Sequence, residues 1–386
     1  MLIIGAGPRS EVSMRTLRKL ALCGGALMLS FGAEANPSFS SDETDFQLET
    51  VATGLAHPWS LAFLPNGDVL VTERAGRLRR IRDGVLDPAS LTGLPDLVVS
   101  GQGGLLDIVL HPEFASNQSL FLSYAHRSGE GMTTRVARAR LGDRGLNDVQ
   151  VIFEALPRAG TSHHFAGRMA FDREGLLYIA VGDRGTRDRA QDLADDAGGV
   201  HRITINGEPA PGNPFLARDD ARATLFTYGN RNIQGMTIHP VTGEIWTHEH
   251  GPRGGDEINI LRAGTNYGWP EITYGIDYSG VPITPYTHKE GMAQPLHYWV
   301  PSIAPSGMAF YTGKSFPQWQ GDLFVGALKA RKLVRLELAQ GRVTEEEDLL
   351  TELGERIRDV RMGPDGGLWL LTDSPNGKVY RILPEG

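Results

Sequence analysis

Met169-Ala-Phe-Asp-Arg-Glu-Gly-Leu-Leu-Tyr-Ile-Ala-Val-Gly-Asp183 decides the fold: a short apolar strand, a polar turn with Gly, then a second apolar strand. Asp and Gly suit the tight reversal of a β-hairpin. The run Leu176 to Val181 lacks the alternation of a half-exposed strand, so its strand is covered on both faces. The pattern recurs at Leu61 to Glu73, at Ile108 to Phe114 with Leu120 to Tyr124, and at Met236 to Glu249. It returns at Met308 to Tyr311 with Asp322 to Gly326, and at Val360 to Asp373. Hairpins spaced by about 50–70 residues and buried on both faces predict radial blades, hence an all-β, six-bladed propeller.

Hairpin geometry then selects a site. Residues just before the first strand and just after the second share one mouth of the propeller, and an innermost first strand brings them near the axis. Counting back gives His57, Gln102, His164, Arg231, Arg356 and Arg358, and counting on gives Asp183, Arg184, Glu249, His250, Gly251, Lys329 and Asp373. One end of the channel thus collects histidines, a glutamine and several cations, a convergence expected of an active site.

The chain is acidic, with a net charge of −8, which disfavours a nucleic-acid partner and suits a cationic mouth to a small anion. No linker or low-complexity stretch interrupts residues 46–383, so residues 36–386 are expected to form one catalytic domain. Residues 1–35 differ. Met14-Arg-Thr-Leu-Arg-Lys19 is basic, Leu20 to Phe31 is apolar, and Ala33-Glu-Ala35 offers a small-residue cleavage pattern. That predicts a secretory signal peptide, cut before Asn36, behind an overextended start at residues 1–13. Its apolar run is too short to span a membrane. The one cysteine, Cys23, falls inside it, so the exported chain would carry neither disulfide nor thiol chemistry.

Two stretches carry chemistry. Gly251-Pro-Arg-Gly-Gly-Asp-Glu257 bends sharply and combines aimed backbone carbonyls with the carboxylates of Asp256 and Glu257, an oxygen-rich set suited to Ca²⁺. His163-His164 places adjacent imidazoles at the mouth, pointing apart, so one of them can face the axis as a general base.

The run Gly101-Gln-Gly-Gly-Leu-Leu-Asp-Ile-Val-Leu-His-Pro-Glu-Phe114 is similar to that of the soluble quinoprotein glucose/sorbosone dehydrogenases. So are His164 to Arg168, Tyr228 to Gly235, Gly251 to Glu257, Asn266 to Pro270, Pro301 to Ser306, Ala327 to Arg331 and Arg356 to Val360. Within that family the chain most resembles the periplasmic aldose sugar dehydrogenases that use pyrroloquinoline quinone (PQQ). The resemblance implies oxidation of aldoses at C1 to lactones, with electrons passed to an external acceptor. His164 would take the C1 hydroxyl proton as hydride passes to PQQ, and Gln102 would contact cofactor and sugar. Arg231 and Asn232 would lie against the quinone oxygens, and Lys329, Arg356 and Arg358 would bind the cofactor carboxylates. The carbonyls of Gly251 and Pro252 would hold a Ca²⁺ at the quinone, and Asp256, Glu257 and the Tyr267 backbone a second, structural one. Two departures bear on specificity: His163 stands where glucose-oxidising members carry an acid, and their pocket aromatics fall on His297 and Val300, with Tyr298 and Trp299 between. A broad aldose range is therefore expected.

Overall fold

The computed structural model describes residues 36–129 and 131–385. The predicted signal peptide, with Cys23, lies outside the described residues. Six antiparallel sheets form the blades of a six-bladed β-propeller. The first strand of each hairpin is innermost: Pro58–Phe63, Leu105–Leu110, Met169–Phe171, Ile233–Ile238, Pro305–Phe310 and Ile357–Met362, each beside the next around the ring. In the last blade Asp45–Leu55 supplies the fourth strand, pairing with Gly377–Pro384 from Phe46↔Pro384 to Leu55↔Gly377, and Ser38–Ser40 adds a fifth outside it. Segments from the two ends of the described residues thereby share one sheet and close the ring.

The core lies between blades, not on the axis. Leu70, Leu105 and Leu122 pack blade 1 on blade 2, and Phe121, Met169 and Ile179 pack blade 2 on blade 3. Tyr178 with Met236, Trp246 with Phe310, Trp319 with Ile357, and Leu61 with Leu371 continue the circuit. Each second strand is covered on both faces, the burial that the unbroken apolar runs predicted.

The axis itself is polar. Asp107 accepts from Ser60 Oγ at 2.6 Å, Met169 N at 2.8 Å, Arg361 Nη2 at 2.9 Å and Arg168 Nη1 at 3.4 Å. Asp359 pairs with Arg168 and Arg361, each at 2.9 Å, and Arg168 Nε donates to the Gln234 carbonyl at 2.6 Å. These buried ions tie five of the six blades together below the mouth.

Pairing shifts register just inside the mouth in five blades: at Pro58/Ser60, Leu105/Ile108, Ile233/Gly235, Pro305/Met308 and Ile357/Asp359. Such bulges bend a strand and re-aim its side chains. His57, His164, Ala166 and Ala304, all just before inner strands, have φ of 49°, 54°, 53° and 54°. Non-glycine residues reach that left-handed region at a cost, and they gather where function fixes the backbone.

Candidate active site

Two cavities open at this mouth. The inner one, about 340 Å³, is lined among others by Trp59, Arg74, Asn232, Arg356, Arg358 and Asp373. The outer one, about 450 Å³, is lined by His163, His164, Asp183, Arg187, Arg231, Pro252, Trp269 and Tyr278. Gln102 borders both.

The inner cavity is built for an anion. Arg74, Arg356 and Arg358 face it against a single carboxylate, Asp373. Asp373 accepts from His57 Nδ1 at 2.8 Å and Arg356 Nη2 at 3.0 Å, with Arg358 at 3.6 Å. Burial alone would raise the Asp373 carboxyl, but Arg358, His57 and Arg356 hold it well below the usual carboxylate range. Burial pushes the Arg358 guanidinium down to about 10 against the pull of Asp373, so it remains charged at neutral pH. Trp59 gives this wall an aromatic face, with the Arg168 guanidinium 4.1 Å from its ring.

The outer cavity holds a half-buried histidine paired with a buried aspartate. His164 Nδ1 donates to Asp183 Oδ1 at 2.6 Å. Asp183 also accepts from Gly185 N at 2.7 Å and from Trp269 Nε1, on Oδ2, at 2.9 Å. Burial opposes its ionisation, yet the His164 bond, the Gly185 bond and the Arg231 charge hold it below its ordinary value. An ionised carboxylate only accepts, so the imidazole proton sits on Nδ1 and Nε2 is left basic. Burial pushes the His164 imidazole below its ordinary value; the Asp183 bond opposes this and Arg231 adds to it. The ring is therefore neutral, and able to accept a proton, at neutral pH.

The His164 backbone is held as firmly. Its N–H donates to Gln102 Oε1 at 2.8 Å. Arg184, fully buried and 3.5 Å from the Phe165 ring, donates to the carbonyls of His163 and Thr161.

The Gly251 turn behaves as its composition predicts. A Cβ on Gly251 would lie 2.0 Å from the Gly254 carbonyl oxygen, so only glycine fits there. Arg231 Nη1 donates to the His250 carbonyl at 2.9 Å, and its guanidinium lies 5.4 Å from the Trp269 ring. Behind the turn, a small cavity is lined by Glu249, Gly251, Gly255, Glu257, Tyr267 and Thr273. Glu249 and Glu257 are directly opposed on neighbouring strands. Burial pushes Glu249 up to about 7, and burial with the Glu249 charge pushes Glu257 well above its ordinary value. Glu257 gains one bond, from Asn259 Nδ2 at 3.4 Å. Glu249 accepts from Asn230 Nδ2 at 2.9 Å and from the Arg231 and Asn232 N–H groups, so Glu257 is the under-donated member, and the crowded pair among backbone oxygens fits a hard cation such as Ca²⁺.

Asp256, expected as a metal ligand, is engaged in hydrogen bonds within the fold. Its two oxygens accept from Gly251 N, Ser302 Oγ, Ile303 N and Ala304 N, at 2.7–3.0 Å. Four donors fill a carboxylate, so Asp256 pins the Gly251 turn to the Pro301 segment. Lys329 is exposed at the rim and lines neither cavity, although its neighbour Leu328 does. Gln102, His164, Arg231, Asn232, Pro252, Arg356 and Arg358 do converge on the two cavities, while Gly251, Glu257 and Tyr267 line the small one.

Four contributors escaped the sequence reading in whole or part. Asp183 was placed at the mouth but not paired with His164, and Glu249 was not paired with Glu257. Arg74 follows the second strand of blade 1, so the count that gives Asp183 and Asp373 also reaches it. Tyr278 comes from an irregular segment that no repeat predicts.

The chain matches the glucose/sorbosone dehydrogenase family over residues 55–381 and belongs to that family. It is 46% identical over 344 residues to aldose sugar dehydrogenase YliI of Escherichia coli, covering 87% of this chain and 92% of that protein. The apo crystal structure of the soluble E. coli aldose sugar dehydrogenase superposes with a TM-score of 0.86 at 44% identity, over 88% of this chain and all of that one. The PQQ-bound aldose sugar dehydrogenase of Streptomyces coelicolor gives 0.72 at 28% identity, over 90% of this chain and all of that one.

Proposed function

We propose that this protein is a PQQ- and Ca²⁺-dependent aldose sugar dehydrogenase, exported to the periplasm, that oxidises aldoses at C1 to lactones. The observation that carries this reading is the meeting, at Gln102, of a cavity rich in guanidinium groups with a cavity holding a neutral, carboxylate-oriented histidine. A planar polycarboxylate suits the first and a sugar hydroxyl the second.

In this reading Arg356 and Arg358 bind the cofactor carboxylates through charge-assisted bonds, with Lys329 reaching in from the rim. Arg231 and Asn232 stand where negative charge develops on reduction. His164 Nε2 takes the proton of the C1 hydroxyl while Asp183 keeps the ring aligned. The Gly251 and Pro252 carbonyls would hold one Ca²⁺, and Glu249, Glu257 and the Tyr267 backbone another. When bound, PQQ supplies the hydride acceptor and Ca²⁺ the Lewis acid that polarises it. Electrons then pass to an external acceptor.

The test is reconstitution. Metal-stripped, PQQ-free protein is expected to be inactive in dye-linked sugar oxidation, and PQQ plus Ca²⁺ to restore activity together with a new absorption band. NAD(P) is expected to have no effect. Full activity in the stripped protein would overturn the reading.

Specificity is expected to be broad and binding weak. His297 Nε2 and Trp299 Nε1 both bond Glu346 at 2.9 Å, Tyr298 stacks on Tyr274 at 3.8 Å, and Val300 is exposed. None of these four lines either cavity, and His163 offers no carboxylate to sugar hydroxyls. One lost polar contact is worth only about 1–3 kcal/mol, so aldoses differing at C2, C4 or C6 should react within about one to two decades of each other. Michaelis constants should be high, because little uniform binding energy remains. A steady-state panel of glucose, galactose, xylose, arabinose and maltose checks this; a glucose preference beyond about a thousandfold would refute it.

A further inference from the structure

We propose that Arg74 is both a third guanidinium for the cofactor's carboxylates and the tie that fixes the Gln102 loop, so that it links cofactor binding to the setting of the base. The inference rests on the PQQ reading. Arg74 lines the inner cavity with Arg356 and Arg358, and among the described residues it pairs with no carboxylate. The single carboxylate of that wall, Asp373, is already engaged by His57, Arg356 and Arg358. Arg74 therefore contributes uncompensated positive charge, which a polyanionic ligand can neutralise.

Its other contacts run to the loop Gly101–Gly104. Arg74 Nη1 donates to the Gly101 carbonyl, and the Leu105 N–H donates to the Arg74 carbonyl at 3.2 Å. A Cβ on Gly104 would lie 2.0 Å from the Arg74 carbonyl oxygen, so the loop lies directly against this residue. On its other side the Arg74 N–H donates to the His57 carbonyl at 3.0 Å. The loop carries Gln102, whose Oε1 accepts from His164 N at 2.8 Å. One fork thus faces the cofactor cavity and, through two hydrogen bonds, the backbone of the base. A planar guanidinium presents donors in both directions at fixed angles, a geometry that an ammonium at the end of a flexible chain does not hold.

The experiment titrates PQQ with Ca²⁺ into Arg74→Gln, Arg74→Lys, Arg356→Gln and unmodified protein. Affinity is followed by tryptophan fluorescence, which Trp59 in the cavity wall makes sensitive to occupancy. Turnover at saturating PQQ and the melting temperature of the apo-protein are measured alongside. Arg74→Gln is expected to weaken PQQ binding by about tenfold or more, and to keep a turnover loss of about tenfold even at saturation. Arg74→Lys should bind within about threefold of the unmodified protein yet show the same turnover loss. Arg356→Gln should bind weakly and recover its turnover at saturation. Unchanged binding in Arg74→Gln would overturn the proposal, and so would a turnover loss that Arg74→Lys fully rescues. Losses that track a large drop in apo melting temperature would also overturn it, since they would make Arg74 merely structural. If the unmodified protein shows no PQQ-dependent quenching, the cofactor reading fails first and this proposal with it.

Discussion

Replacing His164 by Ala is expected to leave PQQ binding largely intact while turnover falls about 10²–10⁴-fold, the range for losing a general base. His164 lines the outer cavity, not the cationic one, so the two functions should separate. Asp183→Asn should fall comparably, about 10²–10⁴-fold, because an amide no longer selects the tautomer that keeps Nε2 basic. The pH dependence gives a second, independent reading. Burial lowers the His164 pKa, so the reactive neutral form persists below the usual histidine range, and kcat/KM falls as pH drops through that lowered value. The Asp183 bond opposes the lowering. Removing that carboxylate should move the acid limb to still lower pH even as the plateau drops. Normal turnover in the His164 variant would show that the base has been misassigned. An acid limb left in place by Asp183→Asn would show that the carboxylate does not act through the imidazole.

Loss of Asp107 is expected to be the costliest single change to stability. Its carboxylate is fully buried and, from the second blade, serves Ser60, Met169, Arg168 and Arg361 on three others. Burial acts against the Arg361 charge, but Asp359 and Asp107 more than offset it and raise that guanidinium above its ordinary value. Asp107→Ala would leave the buried Arg168 and half-buried Arg361 guanidiniums sharing Asp359, and removing one partner of such a buried pair typically costs about 3–5 kcal/mol. Guanidinium chloride unfolding at neutral pH measures it, with the slope of the transition checking that unfolding still exposes similar surface. A loss below about 1 kcal/mol would show that the axial ions contribute little to holding the blades together.

The propeller was legible in the sequence because its units are local. Each hairpin needs two apolar runs and a turn within about a dozen residues, as in Met169 to Asp183, and the repeat supplies the architecture. With the first strand of each hairpin taken as innermost, as the structure has it, His57, Gln102, His164, Arg356 and Arg358 could be placed at one mouth before any coordinates. The donors around Asp256 are decided only by the tertiary structure, and a carboxylate's role depends on who donates to it. Ser302, Ile303 and Ala304 reach Asp256 from a segment nearly fifty residues away, and nothing in the Gly251 turn announces them. Asp183 meets His164 across the two ends of a single hairpin, and Arg74 meets Gly101 between neighbouring blades, contacts that the apolar pattern does not announce. The pattern of apolar runs determines how a blade folds and how far its loop residues lie from the axis. Side-chain direction at the rim does not follow from that pattern, since it is fixed by register shifts, left-handed backbone at His57, His164 and Ala304, and contacts between blades.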